Sequence, residues 1–183
     1  MQKFIVKITS ENISLIDDSQ VECFLLDSAA DTAFNRRFAE AARKAGKLLL
    51  SCGDKAPELC RELGLDGVVV DLSKNEKPKA EFQFLRNFLG KDAVIGAVTR
   101  NRRHEAMVIS EFEPDFLVFQ AWNDGIEQVR ELVSWYNGLF LIQRFHFPQS
   151  DKWVWCPEYT AELCKSVLSV VYVFPFLIVL TLF

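Results

Sequence analysis

The chain of 183 residues is poor in the residue types from which many active sites are built. It has two histidines, His104 and His146, which leaves little room for histidine-based acid–base chemistry. Its five cysteines, Cys23, Cys52, Cys60, Cys156 and Cys164, are odd in number and never fall two residues apart, so neither a disulfide framework nor a structural zinc is expected. A reducing compartment follows. The chain lacks the glycine-rich turn of dinucleotide-binding proteins, the P-loop and the G-x-S-x-G nucleophile elbow. It also lacks a basic excess: the net charge is −4, which argues against a general nucleic-acid binder. The first residues, MQKFIVKITSEN, hold no long apolar run and no small-residue cleavage site, so the expected location is cytoplasmic.

Half of the residues are apolar and a quarter are charged, enough for one domain with a real core. Between residues 3 and 144 short apolar, β-branched runs alternate with amphipathic ones. Strands are expected at 3–9, 21–27, 47–52, 67–72, 93–99, 116–121 and 139–144. Most are apolar nearly throughout, as in parallel strands buried on both faces. Helices are expected at 31–45, 56–63, 78–89, 102–112 and 125–137. The first carries a stripe of Phe34, Phe38, Ala41, Ala42 and Ala45, with Asp31 as its cap and Gly46 at its end. Pro57 and Gly64 bracket the second, Gly90 follows the third, and Asn101 offers a cap to the fourth. Asp124 and Glu127 have capping-box spacing before the fifth.

This rhythm defines an α/β fold with right-handed crossovers. Two architectures satisfy it: a (β/α)8 TIM-barrel-like fold with seven parallel strands legible and an eighth to be supplied, or an open doubly wound sheet. The repeat domain is then 1–144, followed by an atypical aromatic and apolar segment at 145–183. Residues 166–183 carry no charge. They fit three readings: an eighth strand at 167–174 ended by Pro175, a membrane-anchoring helix flanked by Trp153 and Trp155, or a non-ancestral end.

In either architecture ligands bind at the carboxyl ends of the strands. Arg100, Arg102 and Arg103 crowd the start of a helix there, a pattern suited to phosphate or carboxylate; solvated surface arginines are the plainer alternative. Asp54 and Asp71 at neighbouring strand ends could hold magnesium. Alternatively Asp54 caps a helix and Asp71 pairs with Lys55 or Lys74. Cys52 stands near a helix start, where a thiol is activated, but no histidine adjoins it in sequence, so a buried, inert cysteine is the simpler expectation. His104 is expected on a helix surface.

Three stretches, GLDGVVVDL at 64–72, VIGAVTRN at 94–101 and PDFLVFQAW at 114–122, resemble the thiamine phosphate synthase superfamily of TIM barrels, which includes the thiazole tautomerases. The opening FIVKIT resembles the first strand of that family, and the likeness extends over roughly residues 3–144 in order and spacing. It implies a barrel fold and transfer or isomerisation on a phosphorylated thiazole or pyrimidine in thiamine biosynthesis, with magnesium as cofactor. The letters of the site depart from the family's. Its Gln-x-Arg-x-Lys strand reads Cys23, Leu25 and Asp27 at those positions. Its Asn-Asp pair falls on Asp54 and Lys55, its fourth-strand histidine on Val69, and its fifth-strand serine on Val98. No glycine-rich loop follows Gln143. The residues expected to hold phosphate are Lys74, Arg100, Asn101, Arg102, Gln120 and Gln143; those expected to hold the metal are Asp54 and Asp71. The alternative is a catalytically inactive barrel that binds a small anion or a protein. The expected partners are a small phosphorylated molecule, other copies of the chain, and a membrane touched through 166–183.

Overall fold

The structure is a computed structural model and describes residues 3–8, 10, 13–120, 128–129, 131–132, 135–136, 153–156 and 178–181. Six strands follow one another in chain order: β1 (Lys3–Lys7), β2 (Val21–Asp27), β3 (Leu48–Cys52), β4 (Gly67–Asp71), β5 (Val94–Val98) and β6 (Phe116–Gln120). Each pairs in parallel with the next, and together they form a curled half-barrel. Two further short strands lie on its edges: β7 (Trp153–Cys156) pairs with β1, and β8 (Ile178–Thr181) pairs with β6, both in parallel.

Four helices cross between the strands: α1 (Thr32–Lys44), α2 (Ala56–Leu63), α3 (Pro78–Leu89) and α4 (Arg103–Ser110). Gln128, Val129, Glu131, Leu132, Trp135 and Tyr136 of the expected fifth helix are also helical. Punctuation explains why the boundaries of α2 and α3 match their expectation. A proline sits in the first turn of each, and Gly64 closes α2 in the left-handed conformation at φ +61°. Asp31 caps α1, its carboxylate accepting from the Phe34 amide at 2.9 Å. Two expected caps are different. Lys55, not Asp54, occupies the cap position of α2, and Arg102, not Asn101, that of α4; neither gives a side-chain cap bond. The turn of α4 closes from the other side, through Glu105, which accepts from the Arg100 amide at 3.0 Å.

Strand alternation sorts the core into two parts. One face of the sheet packs on the helices: Val6, Phe24, Leu26, Leu49, Val68, Ile95, Leu117 and Phe119 meet Phe38, Leu59, Phe82, Leu85, Ile109 and Leu132. Among the described residues the other face is lined by strand residues alone, Ile5, Cys23, Leu25, Leu50, Val69, Val98, Phe116 and Val118. The helical stripe of α1 is rotated from its expectation. Asn35 and Ala39 are buried with Phe38 and Ala42, whereas Ala41 and Ala45 face solvent. Asn35 turns inward because its Nδ2 donates to the Asp27 carbonyl at 2.8 Å, giving a polar residue a reason to leave water.

The expected strands at 139–144 and 167–174 lie outside the described residues. Among the described residues the edge beside β6 is taken by β8, an uncharged and mostly branched run of the composition that a doubly buried strand requires. These four residues are extended strand, where the membrane-anchor reading of 166–183 expects helix. No helix among the described residues is long and apolar enough to cross a membrane.

Candidate functional site at the carboxyl ends of the strands

Because side chains alternate, each short strand offers only two or three positions to the helix-free face. On β1 to β4 the last such position is polar or reactive, while Ile5, Cys23, Leu25, Leu50 and Val69 before it belong to the apolar cluster of that face. The series reads Lys7, Asp27, Cys52 and Asp71. This row forms a rim at the carboxyl ends, the place where ligands bind in parallel α/β folds.

Lys7 and Asp27 are joined across β1 and β2. Lys7 Nζ lies 2.7 Å from Asp27 Oδ2, and the Ala29 amide donates to Asp27 Oδ1 at 2.8 Å. Burial alone would raise the Asp27 pKa, but the bonds from Lys7 and Ala29 outweigh it and hold the carboxyl below its ordinary value. Burial likewise works against the Lys7 charge, and the carboxylate of Asp27 more than compensates, so the ammonium is held above its ordinary value. The β3–α2 turn locks onto this end of β2. The Ser28 amide donates to the Cys52 carbonyl at 2.8 Å, and the Lys55 amide to Ser28 Oγ at 3.1 Å. Gly53 is required there: its φ is +95°, and a Cβ would lie 2.5 Å from Ser28 Oγ. A cleft of about 590 Å³ opens beside the pair, lined by Lys7, Ile8, Ser10, Asp27, Ala29, Ala30, Asp31 and Phe34.

Cys52 sits within this group, yet burial pushes its thiol up to about 12, with Lys7 pulling it down and Asp27 pushing it further up. The shift disfavours the reactive thiolate, although Cys52 is half-buried where the sequence suggests full burial.

The second cluster lies at the ends of β4 and β5. Asp71 accepts from the Ser73 amide at 3.1 Å and from Ser73 Oγ at 2.5 Å, and pairs with Lys74 at 3.1 Å. The Lys74 side chain is 82% exposed. Arg100 reaches across from β5 and donates from Nη2 to the Ser73 carbonyl at 2.7 Å. Lys74, Asp71 and Arg100 are therefore brought into one neighbourhood. The other arginines part company: Arg102 is exposed, and the Arg103 guanidinium lies 5.1 Å from the centre of the Trp135 ring. His104 is exposed on the helix surface. Asn101 is half-buried beside Arg102, and Gln120 is the last residue of β6. Asp54 is exposed in the β3–α2 turn, and Gln143 lies outside the described residues. A shallow depression of about 540 Å³ is lined by Asp71, Lys74, Asn75, Glu76 and Lys77.

Sequence reasoning missed Lys7. The signal was present, in a lysine sharing the alternate positions of Ile5 at the carboxyl end of the strand. It also missed the opposite, amino-terminal rim, where Asp66 and Asp115 accept from the buried amides of Leu49 and Ile95 at 2.8 and 2.7 Å.

The site and fold thus define a parallel α/β protein with the described helices on one face and a polar rim at the strand ends. No family model matches the chain. Among curated proteins, the thiamine-phosphate synthase of Hyphomonas neptunium is 34% identical over 98 residues. That match takes in 54% of this chain and 41% of that protein, less than half of its length. Among solved structures, the crystal structure of a citrate synthase variant, SbnG, superposes with a TM-score of 0.60 over 98% of this chain and 86% of that chain. The identity is 12%, so this likeness is one of fold alone.

Proposed function

We propose that this chain is a thiamine-phosphate-synthase-like protein of (β/α)8 type, acting in transfer or isomerisation on a phosphorylated thiazole or pyrimidine. The observation that carries the reading is the 34% identity to a thiamine-phosphate synthase over 98 residues. Barrel architecture is supported by the placement of the helices among the described residues on one face only, since a doubly wound sheet carries them on both. Strand order supports it too, running in sequence from β1 to β6 with both edges paired. The phosphate would bind at the ends of β4 and β5, on Lys74, Arg100, Asn101 and Arg102, with Gln120 and Gln143 as further candidate ligands. Lys74 has the freedom to turn outward, and Arg100 is already anchored across the two strand ends.

Magnesium is the cofactor that such chemistry implies, with Asp54 and Asp71 as its ligands. The described residues do not fit it well. Asp71 is occupied by Ser73 and Lys74, and among the described residues no three metal-ligating side chains gather.

One observation favours a second reading, a catalytically inactive barrel that binds a small anion or a protein partner. Val69 and Val98 stand where the resembled family has histidine and serine, and both are sealed in the apolar face at 5% and 6% exposure. The test is a turnover assay with both phosphorylated precursors and magnesium at high protein concentration. Product formation supports the enzyme. No product, together with phosphate-ester shifts confined to residues 73–74 and 100–104, supports the inactive barrel. No product and no shift refutes phosphate binding altogether. The reading carries a cytoplasmic location; fractionation of cells expressing the chain with and without 166–183 tests it against membrane tethering.

A further inference from the structure

Among the described residues three large apolar side chains reach the surface: Ile13 in the β1–β2 link, Met107 on α4 and Phe84 on α3. Phe84 is the most exposed, at 55%, and it belongs to a built patch. Its ring stacks on Phe88 one turn later, with centres 5.6 Å apart and planes 21° from parallel. The guanidinium of Arg61 reaches over from α2 to lie 4.9 Å from the centre of the Phe88 ring. A stacked aromatic pair on the outer face of two helices is apolar surface that the fold of one chain leaves in water.

The groups around the rings say what covers them. On α3 the outward row beside Phe84 is Ala80, Gln83 and Asn87, uncharged between Lys79 and Lys91. An amide side chain carries both a donor and an acceptor, so Gln83 and Asn87 can pair with a second set of themselves. On α2 the outward charges are Glu58 and Arg61, one of each sign. Neither has an ion-pair partner among the described residues, since the neighbouring Glu62 is held by Arg36 at 2.7 Å. A partner of either charge sign would be repelled by one of the two. A copy of the same surface turned end for end offers each of them its opposite.

One rotation satisfies the rings and the charges together. Helices α2 and α3 both return against parallel strands, so they run side by side in one direction. Arg61 and Phe88 stand at one level, because they touch. Glu58 and Phe84 lie three and four residues earlier, about 4.5 and 6 Å back along the helix axes. A two-fold axis passing between these levels lays Phe84 of each copy on Phe88 of the other. The same axis sets Glu58 of each copy against Arg61 of the other.

We infer that the outer face of α2 and α3 binds a second copy of this chain in a two-fold dimer, with Phe84 and Phe88 at its centre and the Glu58–Arg61 pair, made twice, at its side. Two helices of 8 and 12 residues offer a face at the small end of specific interfaces, so the expected dissociation constant is about 1–100 μM. The inference does not rest on the proposed function, since this face is remote from the polar rim.

The experiment is sedimentation equilibrium of the full chain across that concentration range. The expected result is a reversible monomer–dimer equilibrium. Phe84→Glu should weaken it at least tenfold, and Met107→Glu, at an exposed apolar residue of another helix, should leave it unchanged. Glu58→Arg and Arg61→Glu, both at exposed positions, each set like charges face to face twice and should each weaken it at least tenfold. Mixing those two single variants places opposite charges at both contacts and should restore association to near the parent value. A chain that stays monomeric throughout the range overturns the inference. So does association that survives Phe84→Glu, association lost equally in Met107→Glu, or a mixture of the two charge variants that associates no better than either alone.

Discussion

Replacing Asp115 with alanine should cost about 2–3 kcal/mol of stability, more than any loop substitution away from the core. Asp115 precedes β6 and works on β5. Its Oδ2 accepts from the Ile95 amide at 2.7 Å and from Arg86 Nη2 at 3.1 Å. Arg86 in turn donates to the Ala93 carbonyl at 2.6 Å and lies over the Phe82 ring. Ile95 is fully buried, so its amide finds no easy replacement in water. A hydrogen bond to a charged acceptor contributes about 1.5–3 kcal/mol, and a partly exposed ion pair about 0.2–1 kcal/mol. The two share one oxygen and do not add fully. Asp115→Asn keeps an acceptor for the amide and loses only the charge, so about 1 kcal/mol is expected. Asp66 performs the same service for Leu49 from a more exposed position, and Asp66→Ala should fall between the two. Urea unfolding followed by circular dichroism reads these as shifts in midpoint at unchanged slope. The reasoning is refuted if Asp115→Ala stays within about 0.5 kcal/mol of the parent, a change typical of an indifferent surface site, or if the asparagine and alanine variants lose the same amount.

The Lys7–Asp27 pair predicts a stability plateau with two shoulders. Asp27 is depressed in the fold, so its contribution is present above the unfolded carboxyl value and is lost as pH falls through the folded one. Lys7 is raised, so its contribution is present below the unfolded ammonium value and is lost as pH rises through the folded one. Urea midpoints from pH 3 to 11 should therefore lose the acid shoulder in Asp27→Asn and the alkaline one in Lys7→Met; unchanged shoulders would contradict the pairing. Cys52, at about 12, is thiolate in only ~10⁻⁵ of molecules at neutral pH, so iodoacetamide should label it slowly in the native chain and rapidly in urea. Peptide mapping showing fast native labelling would count against its raised pKa. Gly96→Ala should destabilise by about 1–3 kcal/mol, because a Cβ there runs into the buried Phe116 ring. A neutral result would mean that the ring is free to move aside.

What was legible in the sequence followed from local rules. The β1–β6 strands announce themselves as branched apolar runs, and α2 and α3 are bracketed by proline and glycine, which act within one turn. What was not legible depends on partners distant in sequence. Asn35 looks like a surface residue until the Asp27 carbonyl is placed beside it. Lys7 looks like a strand end until Asp27 is brought across from β2. Asp66 and Asp115 fall inside two of the stretches that resemble the thiamine phosphate synthases, and it is natural to read such letters as chemistry. The structure puts them at the amino-terminal rim, where they staple neighbouring strands. Part of the resemblance therefore reports how the sheet is tied together, not what the other rim does. Arg100 shows the same limit from the opposite side. Its place in an arginine-rich run suggests an anion, whereas its guanidinium is spent in part on the Ser73 carbonyl.

A single substitution asks where a ligand can sit. The buried cluster of the helix-free face, among the described residues, is apolar, with Val69 and Val98 nearly sealed. A ligand reading polar groups is then restricted to the rim, above the sheet. Val98→Ala removes two methyl groups and should cost about 1–2 kcal/mol through lost burial and a small cavity. Val98→Ser removes the same methyls and adds a hydroxyl. If the face is dry, that hydroxyl has no solvent and should cost about 1–3 kcal/mol beyond alanine. If water or substrate reaches it, serine should equal or exceed alanine, because the hydroxyl is solvated. Paired urea midpoints give the difference directly. A serine variant markedly less stable than the alanine one confines binding to the Lys7–Asp27 cleft and the β4–β5 ends. Equal stability would reopen the interior as a site and remove the main support for an inactive barrel.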